Sequence, residues 1–357
     1  MNNRFSEIAQ KIEKDLWDYL KNTSKKIILY GMGDGAEKIC KALSLIGKQP
    51  DDFMASDGFV RGHEFMGKRV KTLSEIKSLY SNFVILVSFG TNIKEVIEYI
   101  FTLSEAYEVY LPHVPVFGEG LFDYNYFIEN KERFEELYSI LADKESKIAL
   151  ENLVYYRLTG KVQYIKNIMH NREQSLSLLN LGDNEVYVDL GAYNGDTINE
   201  FLNITQARFS KIIALEPDTK NYAKMRRRFY MLNPKVFNAY NAGVWDKTTE
   251  IPFSGKRGRG SRAGQGKMVK VYCIDDLLKH ENPTYIKYDI EGCENEGLKG
   301  SENTIALHKP KLCISAYHKI EDLLELPLFI NGIRRDYKIY LRHDECLPDW
   351  DSCYYFV

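Results

Sequence analysis

Twice along this chain an apolar run ends in a glycine turn that opens a helical pattern. Lys25–Tyr30 runs into Gly31-Met-Gly-Asp-Gly-Ala36, and Val186–Leu190 runs into Gly191-Ala-Tyr-Asn-Gly-Asp196. A strand that passes directly into a helix belongs to a parallel sheet, because parallel neighbours need a crossover connection. After the first turn, further strands are predicted at Phe53–Ser56 and Phe83–Phe89. After the second they fall at 185–190, 211–216, 235–240, 285–290 and 311–316, with two more at 337–342 and 352–357. Helices at about 195–206, 218–231 and 294–307 alternate with them. The expected class is α/β: a doubly wound Rossmann-like sheet closed by a late antiparallel pair, preceded by a smaller Rossmann-like domain.

Between the two lies a helical stretch from Leu121 to Asn180, with Leu, Ile and Tyr at i, i+3 and i+4 among charged residues. It reads as a connector or cap, so the expected domains are 1–116, 117–180 and 181–357. The opening residues place Phe5, Ile8, Ile12, Leu16 and Leu20 at helical spacing and predict one amphipathic helix over 5–20.

Composition narrows the function. The 48 Lys+Arg against 50 Asp+Glu give a net charge of −2, which argues against a surface-wide field for nucleic acid or anionic membrane. No apolar run approaches the ~20 residues needed to span a bilayer, and the start carries no secretory h-region. The six cysteines form no C-x-x-C pair and several lie in apolar runs, which suits a reducing cytoplasm rather than disulfides or a zinc site.

The second glycine turn carries the strongest chemical signal. Its strand delivers Asp189 to the sheet edge, and the next strand ends in Glu216-Pro217-Asp218, 27 residues on. Open α/β sheets bind ligands beyond the carboxyl ends of their strands, and an acid there accepts ribose hydroxyls. A dinucleotide turn wants a second glycine so that backbone N–H groups reach pyrophosphate. Tyr193 occupies that place, and Asp189 suits a cationic head group better than phosphate. Both favour S-adenosylmethionine as cofactor. A second cluster, Tyr285-Ile-Lys-Tyr-Asp-Ile-Glu-Gly-Cys-Glu294, ends the fourth strand. Asp289 and Glu291, at i and i+2 of an extended segment, are expected on one side, there to bind an ammonium, orient substrate hydroxyls, take a proton or hold a divalent ion. Glu294 reads as a charge at a helix N-terminus.

Together VDLGAYNGDT, ALEPDTKNY, IKYDIEGCENEGLKGSENTI and KPKLCISAYHKIEDLLELP resemble the FkbM family of class I S-adenosylmethionine-dependent methyltransferases, over about residues 180–345. The resemblance implies methyl transfer, usually to a hydroxyl of a sugar or natural-product-like acceptor. It implies a cofactor pocket of Asp189, Gly191, Ala192, Tyr193, Asn194, Gly195, Asp196, Thr197, Glu216, Pro217, Asp218 and Gly243. Asp289, Glu291 and His318 fall on the acceptor side, with His318 a candidate general base. No metal is expected.

Two further features remain. Residues 254–267 hold five cations, five glycines and no acid, a composition suited to anions such as acceptor phosphates. The order GMGDGA, SDGFVRG, FMGKRV, TLSEI over about residues 25–115 resembles the Rossmann-like nucleotide-sugar-binding domain of some sugar-modifying acyltransferases. That resemblance implies a possible nucleotide site at Gly31, Gly33, Asp34, Gly35 and Asp57. The reading is therefore a methyltransferase acting on a small-molecule or glycan acceptor, a nucleotide-sugar among the options, with homo-oligomerisation open. The alternatives are an NAD(P)-dependent sugar oxidoreductase using the first glycine turn, or a non-catalytic nucleotide-binding protein.

Overall fold

The computed structural model describes residues 3–12, 14–60, 62–256, 260–263 and 267–357, with backbone alone for 254–256 and 260–263. The chain forms two compact units. One comprises Met1–Pro115, Glu119–Asn171 and Arg342–Asp351; the other comprises Val116–Gly118, Arg172–Leu341 and Ser352–Val357.

In the first unit four parallel strands stand in the order Asp52–Met54, Lys26–Tyr30, Phe83–Val87, Val109–Tyr110. Ile27, Leu29, Val84 and Leu86 bury one face of the sheet with Ile39 and Leu43 from the helix Asp34–Leu45. The fourth strand is too short for any sequence period to betray. The opening segment is two helices, Arg4–Lys11 and Leu16–Asn22, not one. Asp15 causes the break: its carboxylate caps the second helix through the Asp18 N–H at 2.9 Å and also accepts from the Tyr124 N–H at 2.8 Å. Residues 119–171, expected as a connector, cluster with this unit. The helix Lys144–Thr159 buries Ala149, Leu150, Leu153, Val154, Tyr156 and Leu158, apolar on too many sides for a solvent-facing bridge. Arg157 in this helix holds buried Asp349 at 2.8 Å, which ties residues 342–351 into the unit.

The second unit is built on one sheet with the strands Phe237–Tyr240, Lys211–Leu215, Val186–Leu190, Tyr285–Tyr288 and Lys311–Ser315 in parallel, then Ser352–Phe356 antiparallel and the strand beginning at Ile339. Numbered by occurrence the order is 3-2-1-4-5-7-6. The strand order reverses between Val186–Leu190 and Tyr285–Tyr288, so the ligand crevice should open at their carboxyl ends. A small additional sheet, for which no strands were predicted, pairs Gly243–Val244, Lys267–Tyr272, Thr249–Lys256 and Gly260–Ala263. Among the described residues no helix is long and apolar enough to cross a membrane.

At the reversal the two chains almost touch. Gly191 has φ +84°, and a Cβ there would lie 1.9 Å from the Asp289 carbonyl oxygen. Only glycine accepts both the left-handed backbone and the contact. Gly191→Ala should lower stability by about 3 kcal/mol in urea denaturation. Gly182→Ala, whose added carbon would meet its nearest neighbour at 3.8 Å, should shift it by less than about 1 kcal/mol.

Candidate active site

The crevice has a cofactor-like side and an acceptor-like side. On the first, Glu216 follows the strand Lys211–Leu215 and is 7% exposed. Its Oε2 accepts from the Tyr193 N–H and its Oε1 from the Asp218 N–H, both at 2.8 Å, which fixes the carboxylate and leaves each oxygen a second lone pair. Burial raises its pKa to about 7 against those two hydrogen bonds, and the nearby charges of Asp218 and Asp189 push the same way. Tyr193 takes φ +45° and is 46% exposed, so the turn presents its ring outward where a dinucleotide turn would present bare backbone.

Other residues of the turn have structural duties. Asp218 caps the helix Thr219–Arg228 by accepting from the Lys220 and Asn221 N–H groups. Gly195, at φ +84°, makes room for Phe229, whose ring would sit 2.4 Å from an added Cβ. Gly243 is packed between Val271 and Pro217. Ala192 is buried, Asp196 is exposed at the start of its helix, and Asn194 buries a side-chain oxygen that makes no hydrogen bond.

Asp189 is fully buried, not poised at an open edge. Its Oδ2 accepts from the Thr197 hydroxyl at 2.5 Å, while Oδ1 makes no hydrogen bond and lies 3.9 Å from Lys287 Nζ. Burial raises its pKa, against the pull of Lys287. Lys287 is a site residue that sequence reasoning passed over. The register of the two central strands sets it directly beside Asp189, and its Nζ also stands 3.3 Å from Asp289 Oδ2. Burial alone would lower its pKa, but Asp289 and Asp189 raise it above the ordinary lysine value. A lysine in a strand reads as an exposed edge residue; only strand pairing reveals this one as the buried cation between two acids.

The acceptor-like side centres on His318, which is 1% exposed. Its Nδ1 lies 3.0 Å from Glu294 Oε1, and its Nε2 lies 3.6 Å from Asp289 Oδ1 and 3.7 Å from Glu291 Oε2. Asp289 and Glu291 do converge, but not by the alternation of an extended segment. The strand stops at Tyr288, and Glu291 and Gly292 turn left-handed at φ +56° and +87°. A non-glycine residue in that region carries strain, which commonly marks a functional turn. Glu294 does open a helix, Glu294–Lys299, and beyond that it is fully buried, accepts from the Ile290 N–H at 2.9 Å and faces the imidazole. Phe117, about two hundred residues from His318 in sequence, donates its N–H to the His318 carbonyl at 2.8 Å and stacks a tilted ring at 5.7 Å. No local pattern could have paired them.

These surroundings revise the role of His318. Burial would lower its pKa, but Glu294, Asp289 and Glu291 together raise it to about 10. An imidazolium has no lone pair with which to accept a proton, so the group is not poised as a free base at neutral pH. Asp289 is the converse: burial would raise it, but Lys287 and His318 hold it at about 2. Asp322, a possible partner of His318, accepts from the Lys319 N–H at 2.7 Å.

The basic stretch falls largely outside the described residues: 257–259 and 264–266 are not described, and of its other residues only Lys267 has a described side chain. In the first unit Gly31 and Gly33 take φ of +121° and +118°. Gly31 and Gly35 are pressed against Phe89 and Ser88, whereas the position above Gly33 is open. Asp34 occupies the first turn of the helix and pairs with Lys38 at 2.9 Å, and Asp57 starts a short exposed helix.

A doubly wound sheet of order 3-2-1-4-5-7-6, with an acid at the tip of its second strand, defines the class I methyltransferase fold. Residues 189–339 match the methyltransferase FkbM domain, a family of S-adenosylmethionine-dependent methyltransferases. The crystal structure of methyltransferase FkbM from Methylobacillus flagellatus KT is similar in fold across both units: TM-score 0.76, 23% identity, covering 100% of this chain and 99% of that one. A precorrin-6y C5,15-methyltransferase from Geobacter metallireducens GS-15 (TM-score 0.34, 16% identity, 52% and 84% covered) shares too little to bear on individual residues. The same holds for an Aeropyrum pernix fibrillarin with natively bound S-adenosyl-L-methionine (TM-score 0.33, 11% identity, 52% and 74% covered). No curated protein matches the chain.

Replacing Lys287 by methionine strands the buried Asp189 carboxylate and removes the cation beside Asp289. The variant should lose about 3 kcal/mol in urea denaturation at neutral pH, far more than the loss of an exposed lysine.

Proposed function

We propose that the second unit transfers a methyl group from S-adenosylmethionine to a hydroxyl oxygen of a sugar, glycan or nucleotide-linked small molecule. The observation that carries the reading is the meeting of strand ends at the reversal, which sets Glu216 after one strand and Asp289, Glu291 and His318 after other strands of the same sheet. S-adenosylmethionine supplies, when bound, an electrophilic methyl on a sulfonium. Glu216 fits its ribose, since its two oxygens are held by backbone N–H groups yet each can still accept a hydroxyl. Asp189, buried beneath the turn and paired with Lys287, supports the pocket from below rather than touching the cofactor. Asp289 and Glu291 are about a third exposed and can receive the acceptor's hydroxyl. Displacement at carbon needs nucleophile, methyl and sulfur in line, so fixing the acceptor's oxygen is the larger part of this chain's work. A hydroxyl acceptor is favoured because carboxylates bind and orient an O–H, and can pass its proton to solvent.

The first unit supports a narrower suggestion. The open position above Gly33, at the start of a twelve-residue helix, can receive a phosphate oxygen of a nucleotide-sugar, although Asp34 already places an acid in that first turn. Six cysteines without a disulfide suit a reducing cytoplasm.

Calorimetry with S-adenosylhomocysteine tests the cofactor side. The wild type should bind one molecule per chain, and Glu216→Ala should weaken binding about a hundredfold; equal affinity in the two would sink the proposed pocket. Because the Glu216 pKa stands near 7, affinity should fall as pH drops from 8 to 6 and the carboxyl takes up a proton. Glu216→Gln, which cannot titrate, should bind weakly but evenly over that range.

A further inference from the structure

We infer that Asp289, Glu294 and His318 form a binding site for a first-row divalent metal ion, which receives the acceptor's hydroxyl oxygen on its open side. The second half of this statement rests on the function proposed above; the ion site itself does not.

Three residues, two from the turn after the fourth strand and one from the turn after the fifth, each offer one ligand atom, and these atoms lie within 4.8 Å of one another. Donors on a single ion bonded at about 2.0–2.2 Å stand roughly 3–4 Å apart, so small side-chain movements close the site. Two buried atoms of different kinds are left without a hydrogen bond here: Nε2 of His318, 1% exposed, and Oε2 of Glu294, 0% exposed. An ion taking one ring nitrogen and one oxygen from each carboxylate gives those buried donors work that the protein does not. Charge points the same way. Asp289, Glu291 and Glu294 meet Lys287 and one imidazole, and a dication balances three carboxylates and a lysine where a single proton leaves a negative excess.

The donor set selects the metal. One imidazole with two carboxylates suits Mn²⁺, Fe²⁺ or Zn²⁺, whereas Mg²⁺ and Ca²⁺ prefer oxygen alone. Burial is uneven: His318 and Glu294 are closed off, while the Asp289 side chain is 31% exposed and Glu291 beside it 38%. Coordination open on one side is the pattern of a catalytic rather than a structural site. There the ion would lower the pKa of the acceptor's hydroxyl. The O–H bond breaks and its proton passes through Glu291 to solvent. The oxygen forms the new bond to the methyl carbon as the carbon–sulfur bond breaks, giving methyl ether and S-adenosylhomocysteine.

The test uses the full chain stripped with EDTA and titrated with Mn²⁺ alone, read by calorimetry and by electron paramagnetic resonance. One ion per chain should bind. Asp289→Asn and Glu294→Gln should each weaken it about tenfold or more, and Glu105→Gln, an exposed acid of the first unit, should not. X-ray absorption of the zinc-loaded wild type, which needs no variant, should show a mixed nitrogen and oxygen shell without sulfur. No stoichiometric ion, an ion indifferent to Asp289→Asn, or a shell containing sulfur would overturn the site. The methyltransferase reading fails separately. If S-adenosylhomocysteine binds the stripped protein and manganese does not, only the ion site is lost; if manganese binds and S-adenosylhomocysteine does not, the cofactor reading is lost instead.

Discussion

The approach of Gly191 to the Asp289 carbonyl is the contact on which the crevice depends. It brings the turn after the first strand of the sheet against the turn after the fourth, at the one place where the strand order reverses. A side chain at 191 would drive the two turns apart and separate Glu216 from Asp289, Glu291 and His318. Parallel strands make the junction possible because both deliver their carboxyl ends to the same edge. The absence of a single Cβ therefore joins two halves of chemistry that the chain holds about seventy to a hundred residues apart.

Charge is organised around that junction. Lys287 stands between Asp189 on the cofactor side and Asp289 on the acceptor side; strand register sets Lys287 beside Asp189, and Asp289 follows directly after the strand. Rigid placement suits a transfer reaction in which alignment contributes most. Buried ion pairs of this kind contribute little net stability, since the cost of desolvation offsets the attraction. Their value here is positional: Lys287 holds Asp289 ionised, and Asp289 with Glu291 and Glu294 determines the state of the imidazole.

Much of the fold was legible because parallel strands and crossover helices leave apolar runs and glycine turns of fixed period. The seven main strands of the second sheet and its glycine-turn acids were readable in that way. What escaped were features made by distant pairing. Asp15 breaks the first helix because Tyr124 comes to it, and Lys287 is buried because its neighbour strand carries Asp189. The reading of Glu294 as a helix-end charge was reasonable locally, since an acid at that position complements the dipole. It missed that the helix begins inside the protein, facing an imidazole. His318 stands beside Asp289, Glu291 and Glu294, and these three carboxylates from another strand's turn raise its pKa, an influence its sequence neighbours do not reveal.

The sequence by itself determined which residue types stand at which strand ends, because the two-residue and 3.6-residue periods and the tolerance of glycine are local properties of the chain. Tertiary structure alone decided what those residues became: which acid is buried, which cation neutralises it, and whether a histidine carries a proton. Those outcomes follow from desolvation and from charges a few ångströms away, quantities that exist only once the strands have paired.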